Sequence, residues 1–348
     1  MKSKVVRKVL AALLAAAMVI GMVGCNSSEE AATTKPAVTE EPAAEEPAEE
    51  TAEADLTIGV SWCAIESQMW AEYQEVIQAE CKAAGITYVE SVAENDTQKQ
   101  NQQIEDFIAQ GVDAIIIAPA DGEAVVPAVQ KCNEAGIPVI MANRAAGEGA
   151  EVYATISSDN PTMVKREVDY IAGITEAGKT YKCLELVGSL TDANAIARQE
   201  GFEDGIAKYP EMFELVATVP TEWKAENALT GVQNALASDP DIDLIFCPSD
   251  TLLPAVVSAL QQVDKYKEVG EEGHVTIITF DGAADAVNLI RENYVDIVSV
   301  QSATEQAKLC VEAAVAAANG EEAVSFLDPG FEVTVENCDT EYADFSGY

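Results

Sequence analysis

Histidine is almost absent from this sequence. One residue in 348 leaves little for imidazole-based catalysis or zinc binding. Basic residues are scarce too, 20 Lys and Arg against 60 Asp and Glu, giving a formal net charge of −40. So acidic a surface repels phosphate backbones and anionic headgroups, which excludes a nucleic-acid binder and electrostatic adsorption to membranes. There is no C-x-x-C pair, no G-x-S-x-G elbow and no G-x-G-x-x-G turn. No cofactor and no metal site are therefore expected. The apolar content of 48%, with 13 Pro and 21 Gly, excludes a wholly disordered or collagen-like chain. The length suffices for two domains at roughly 100–200 residues each.

The N-terminus reads as an address. Lys2, Lys4, Arg7 and Lys8 precede an uncharged run from Val9 to Val23, too short for a spanning helix of about 20 residues. Residues 1–24 are expected to be a signal peptide. Its end, Met22-Val23-Gly24-Cys25, resembles a bacterial lipobox, which makes Cys25 the expected lipid anchor; a plain signal peptide cleaved nearby is the alternative. Residues 26–54 hold nine Glu, eight Ala, three Pro and the single base Lys35, with no aromatic. Such a segment buries too little apolar surface to offset its ordering entropy, so 25–54 read as a disordered acidic tether. Beyond Cys25 the chain has Cys63, Cys81, Cys132, Cys183, Cys247, Cys310 and Cys338, an odd set at wide spacing and a poor disulfide framework. Most are expected to be buried free thiols.

From residue 55 short β-branched runs alternate with stretches of helical length. The strand candidates are 56–61, 87–91, 114–118, 139–142, 153–156, 182–187, 214–219, 244–247, 275–280, 296–300 and 331–335. Helical patterns such as 68–84, 98–110, 123–135 and 161–177 lie between most of them, and Gly111 stands where a left-handed helix stop fits. Strand-helix alternation means parallel sheets covered on both faces, an α/β fold.

Ligands of such sheets bind beyond the carboxyl ends of the strands. Just past the apolar runs stand Trp62, Glu66, Ser67 and Trp70; Asn143 and Arg144; Thr191, Asp192, Asn194 and Arg198; Trp223; Ser249 and Asp250; Asp281; and Gln301. Every tryptophan falls at a strand mouth, beside planar multidentate hydrogen-bonding groups. Flat apolar faces with Arg, Asp, Asn and Gln suit a monosaccharide, whose C–H patches stack on indole and whose hydroxyls both donate and accept.

Rival motifs carry less. Residues 173–180 satisfy the P-loop expression, but a helix precedes them and a strand follows, the reverse of what phosphate binding needs; a helix end with a solvent lysine is expected. Asp239, Asp241 and Asp243 alternate like calcium ligands without the rest of that loop, and a solvated turn is expected. His274 lies in a polar loop and is expected to face water. An exported carbohydrate hydrolase using Glu66 and Asp281, or a sensor presenting sugar to a receptor, are the other function classes.

The motifs I-G-V-S at 58–61, G-V-D-A-I-I-I-A-P at 111–119, G-I-P-V-I at 136–140 and I-S-S-D-N at 156–160 recur in a fixed order. They are followed by A-R-Q-E-G-F at 197–202, D-I-D-L-I-F-C-P-S-D at 241–250 and T-F-D-G at 279–282. In this order the chain resembles the type I periplasmic solute-binding proteins of ABC transporters for simple sugars, over about residues 55–327. The resemblance implies two Rossmann-like lobes with parallel sheets joined by a three-crossing hinge, the first of residues 55–158 plus 302–327 and the second of 159–301 plus 328–348. It implies a non-enzymatic, monomeric binding protein that closes on a monosaccharide and delivers it to an ABC transporter permease, held by its lipid on the extracytoplasmic face of a bacterial membrane. The family's contact positions fall on Ser67, Trp70, Asn143, Arg144, Asn194, Arg198, Trp223, Ser249, Asp281 and Gln301, with Trp70 and Trp223 as an aromatic clamp and Met69 at a second aromatic position. Asn143 stands in place of a carboxylate and Ser249 in place of an amide. Asp281, placed in a loop, is expected to bind ligand without supporting the fold.

Overall fold

The computed structural model describes residues 56–322, 324–340 and 342–343. The expected signal, Cys25 and the tether lie outside the described residues. Numbered in chain order, β1 (Thr57–Trp62), β2 (Thr87–Val92), β3 (Ala114–Ile117), β4 (Val139–Asn143), β5 (Ala154–Ser158) and β11 (Phe326–Asp328) make one six-stranded sheet in the order β11-β5-β4-β3-β1-β2. A second six-stranded sheet joins β6 (Tyr181–Val187), β7 (Phe213–Pro220), β8 (Leu244–Cys247), β9 (Thr276–Asp281), β10 (Ile297–Val300) and β12 (Phe331–Val333) in the order β12-β10-β9-β8-β6-β7. Pairing is parallel throughout except between β10 and β12. Both sheets reverse their winding next to their first strand, the switch point where doubly wound sheets bind ligands.

The inner strands are buried on both faces, which is why they read as unbroken apolar runs. Ala-Ile-Ile-Ile of β3 and Leu-Ile-Phe-Cys of β8 are wholly buried. The helices are α1 (Gln68–Ala83), α2 (Thr97–Gln110), α3 (Val126–Glu134), α4 (Asn160–Ile174), α5 (Ala193–Ala207), α6 (Ala225–Ser238), α7 (Leu253–Gln262), α8 (Ala284–Arg291) and α9 (Ala303–Ala318). Polar residues cap several of them: Asp96 accepts from the N–H groups of Gln98 and Lys99, each at 2.9 Å, and starts α2. Gly111 ends α2 at φ 72°, a left-handed stop open to glycine without strain. Helix α9, though late in the sequence, packs on α1 and the first sheet through Ala307, Cys310 and Ala314. The chain thus passes from one sheet to the other after β5, after β10 and between β11 and β12.

Two expectations are corrected. Strand β11 has no counterpart among the strand candidates, because it is three residues long, half exposed and cut short by Pro329-Gly330. His274 does not face water: Asp296 Oδ2 lies 3.0 Å from Nε2 and the Lys267 carbonyl 2.9 Å from Nδ1. Burial alone would lower its pKa, but Asp296 outweighs burial and raises it. Lys179 is exposed beyond a helix end and the acidic turn is solvated, as expected; there Lys179 pairs with Asp243 and lies over the Tyr181 ring, and Asp239 holds Lys182 at 2.8 Å.

Candidate functional site

Beyond the carboxyl ends of both sheets lies a cavity of about 240 Å³. That is below the roughly 300–1,000 Å³ typical of drug-sized ligands and suits a small molecule. Ser67, Trp70, Asn143, Arg144, Asn194, Arg198, Trp223, Ser249 and Asp281 line it, with Met69, Glu66, Ala64, Asn95, Asp192 and Thr251. Of the expected contact residues, Gln301 alone does not.

On the first sheet's side Ser67 caps α1 by accepting from the Trp70 N–H at 3.3 Å, which sets Trp70 on the first turn facing the cavity. The Trp70 ring is 5% exposed and packed among Trp62 and Tyr73, with the Arg144 guanidinium 5.4 Å from its centre. It is a wall held from behind rather than a free clamp. Trp62, expected at the cavity mouth, is fully buried and donates its indole N–H to Glu90 at 2.9 Å; it belongs to the core.

Asn143, the last residue of β4, sits at φ 61°, a left-handed backbone that asparagine tolerates. Its Nδ2 donates to Gln301 Oε1 at 3.0 Å and Gln306 Oε1 at 3.2 Å, while its Oδ1 accepts from Asn194 Nδ2 at 2.7 Å. A carboxylate here would face two carbonyl oxygens. The amide at this position follows from its neighbours.

Gln301 stands one layer back. It accepts from the Ser158 hydroxyl at 2.7 Å and donates to Asp281 Oδ1 at 2.7 Å. Gln306, fully buried on α9, extends the network: it accepts from the Tyr73 hydroxyl at 2.6 Å and donates to Ser158 and Asp328, each at 2.9 Å. Ser158, Gln301 and Asp328 stand on the three passages between the sheets, so one set of buried amides touches all of them.

The second sheet's side is ionic. Asp281 ends β9 at φ 105°, is 7% exposed and accepts from Arg198 Nη1 at 3.1 Å, Gln301 and Ser249 Oγ at 2.6 Å. Arg198 also donates to Asn160 Oδ1 and the Pro248 carbonyl and stacks 3.7 Å over Phe280. Asp281 is therefore a buried ion-pair partner and not a loop residue free of the fold. Ser249, too short to reach across the cavity as an amide would, orients that carboxylate. Behind it Asp250 takes N–H bonds from Gly282 at 2.8 Å and Ala283 at 2.7 Å; burial, and then the Asp281 charge, push its pKa up to about 8.

Arg144 and Asp192 meet across the cavity at 2.8 Å. Burial would lower the Arg144 pKa, but Asp192, together with Cys63 and Asp281, outweighs it and raises it. Trp223, at φ 57°, donates its indole N–H to the same Asp192 Oδ2 at 2.8 Å and lies flat over Gly188, where an added Cβ would fall 2.1 Å from the ring. Glu66 reaches the rim, with Oε2 accepting from the Ile65 N–H at 3.2 Å. Asn95 and Thr251 were not expected; Asn95 follows β2 and Thr251 stands two residues past Ser249, so the same strand-mouth rule reaches both.

A model of the periplasmic binding protein domain matches residues 58–322. The ribose import binding protein of Bacillus subtilis is 29% identical over 260 residues, covering 75% of this chain and 81% of that protein. A xylitol-binding protein of Mycolicibacterium smegmatis is 28% identical over 277 residues, covering 78% and 76%. Among solved structures, an ABC transporter solute-binding protein from Bacillus halodurans with bound myo-inositol superposes with a TM-score of 0.75 at 26% identity, covering 84% of this chain and 98% of that one.

Proposed function

The chain belongs to the periplasmic binding protein domain family, in its type I simple-sugar group, and is a binding protein and not an enzyme; from that premise we propose that it captures a monosaccharide or similar small polyol for an ABC importer. One observation carries the reading: two arginine–carboxylate pairs and two tryptophans, drawn from both sheets, converge on one small cavity. With each arginine already matched by a carboxylate, a neutral ligand leaves the charges balanced. Its hydroxyls exchange hydrogen bonds with Arg, Asp and Asn groups, and its C–H faces lie on indole.

The site residues, Gln301 included as a supporting residue, are assigned to this ligand. The lobes 55–158 plus 302–327 and 159–301 plus 328–348 move about the three crossings, and a sugar touching both walls favours the closed form. The permease takes the closed form. The chain works as a monomer on the extracytoplasmic face of the membrane, held there through Cys25 and spaced by the acidic tether.

Differential scanning fluorimetry against a panel of monosaccharides and polyols tests the binding reading. A true ligand at a hundredfold excess over its dissociation constant adds about 2.7 kcal/mol of apparent stability. A panel that moves nothing defeats it. Mass spectrometry of membrane-extracted protein tests the anchor: a diacylglyceryl group on Cys25 supports it, and a mature N-terminus elsewhere refutes it.

A further inference from the structure

Asp192 has three side-chain partners, and one of them, Arg144, stands across the cleft. Its Oδ1 accepts from the Asn194 N–H at 2.8 Å and caps α5; its Oδ2 accepts from Trp223 Nε1 and pairs with Arg144 Nη2, both at 2.8 Å. Trp223 stands on its own lobe, Arg144 on the other. Arg144 in turn lies over Trp70 and donates to the Pro119 carbonyl at 3.2 Å, so it is fixed to the first lobe independently of Asp192. The Asp192 side chain is fully buried and that of Arg144 is 11% exposed. A charge so enclosed loses heavily when its partner leaves. Other direct bonds between the walls, such as Asn194 to Asn143 at 2.7 Å, Asn143 to Gln301 at 3.0 Å and the Gly122 N–H to the Thr191 carbonyl at 3.4 Å, are neutral. Meanwhile Asn143, beside Arg144 at the same strand end, is an amide committed to Gln301, Gln306 and Asn194 and offers Arg144 no charge.

We infer that Asp192 is a cross-cleft positioning residue: it supplies from the second lobe the acid that position 143 lacks, aligns Arg144 with Trp223, and ties the two lobes together by a bond made between protein side chains. Because no ligand atom takes part in that bond, it favours the closed arrangement whatever fills the cavity. Asp192 thereby sets how much of the closing energy a sugar must provide, and so the affinity.

The full chain and its Asp192→Asn variant are compared by small-angle X-ray scattering without added ligand. Asparagine keeps an oxygen for the Asn194 N–H, so the helix cap survives, while Arg144 loses its counter-ion. The variant is expected to show a larger radius of gyration and altered Trp223 emission at unchanged circular dichroism. Arg144→Met, which removes the other end, is expected to give the same expansion, and the double variant no more than either alone. A purely structural role would move neither radius nor emission in a folded variant. Superimposable scattering of folded Asp192→Asn and wild type, or expansions that add in full in the double variant, overturn the inference; if Asp192→Asn does not fold, Arg144→Met decides it. The affinity arm rests on the sugar-binding reading: the monosaccharide that most raises the wild-type melting temperature should bind Asp192→Asn at least about fivefold more weakly by calorimetry. Should no panel member move the wild type, that reading fails while the scattering comparison still decides the role of Asp192.

Discussion

On the first sheet's side of the cavity the buried polar groups are mainly amides and hydroxyls, Asn143, Tyr73 and Ser158, each bonded to Gln306, which also donates to Asp328. On the second sheet's side they are ions, Arg198 with Asp281 and Asp192 with the incoming Arg144. The difference teaches where each wall is vulnerable. A closed amide network keeps its members neutral and mutually satisfied, so a single replacement strands a neighbour without water. A buried ion is costly by itself, and its stability depends on one named counter-ion.

The sharpest way to break this comparison is Asp281→Ala. Removing one member of a buried ion pair costs about 3–5 kcal/mol, because Arg198 stays charged and enclosed. Both the unliganded melting temperature and sugar affinity should fall, with Asp281→Asn falling less since it keeps one acceptor oxygen. An Asp281→Ala protein that melts like wild type would show that Arg198 does not depend on it.

Gln306→Leu tests the opposite wall. It leaves the buried Tyr73 hydroxyl without its acceptor and removes a donor from Asp328, at about 1–3 kcal/mol for each unsatisfied group. Thermal or urea unfolding should report the loss in the absence of sugar. Stability equal to wild type would mean the amides are incidental.

Trp223→Ala should act on binding more than on folding, since the ring is half-buried between Gly188 and the cavity. The expected loss is about 1–3 kcal/mol of sugar affinity, the magnitude of aromatic stacking on a planar ligand, together with most of the ligand-induced change in tryptophan emission. An unchanged titration would place the ligand elsewhere.

An effect that appears only as pH rises should come from an acid that lacks a counter-ion. Glu185 on β6 is fully buried; its Oε2 accepts from the Thr218 hydroxyl at 3.1 Å and its Oε1 has no partner. Burial, then the Glu203 charge, push its pKa up to about 8. The folded state therefore holds a proton that the unfolded chain releases above about 4.3, so stability falls as pH rises through that window and levels off past about 8. Glu185→Gln should match wild type near pH 5 and melt higher than it at pH 9. A constant gap between the two pH values would contradict the assignment.

Runs such as Ala-Ile-Ile-Ile and Leu-Ile-Phe-Cys announce buried parallel strands by composition alone, and the residues after them fall on the cavity because a parallel sheet delivers all its strand ends to one edge. What sequence order does not carry is which way a side chain turns at that edge. Trp62 ends β1 and Trp70 follows it closely, yet one turns inward onto Glu90 and the other reaches the cavity. Gln301 falls behind Asp281 for the same reason. Asp192 and Gln306 were harder still, since their partners lie 48 and 233 positions away. Such pairings exist only once both sheets are built. The pairing of Asp281 with Arg198 is equally long-range, which is why a residue expected to be dispensable for folding is part of it.

Cys63, Cys81, Cys132, Cys183, Cys247, Cys310 and Cys338 are all free and buried, and burial pushes Cys81 and Cys132 up to about 11 and Cys183 and Cys247 up to about 12. A thiol that is both sealed and protonated reacts with an alkylating reagent only when the structure around it opens. The chain thereby carries its own clocks of local unfolding. Cys63, Cys81, Cys132 and Cys310 keep time for the first sheet's surroundings, and Cys183, Cys247 and Cys338 for the second's. Pulsed alkylation read by peptide mass would record the two halves separately, in the unmodified protein, and a cysteine introduced on either surface would take up a dye long before any of them.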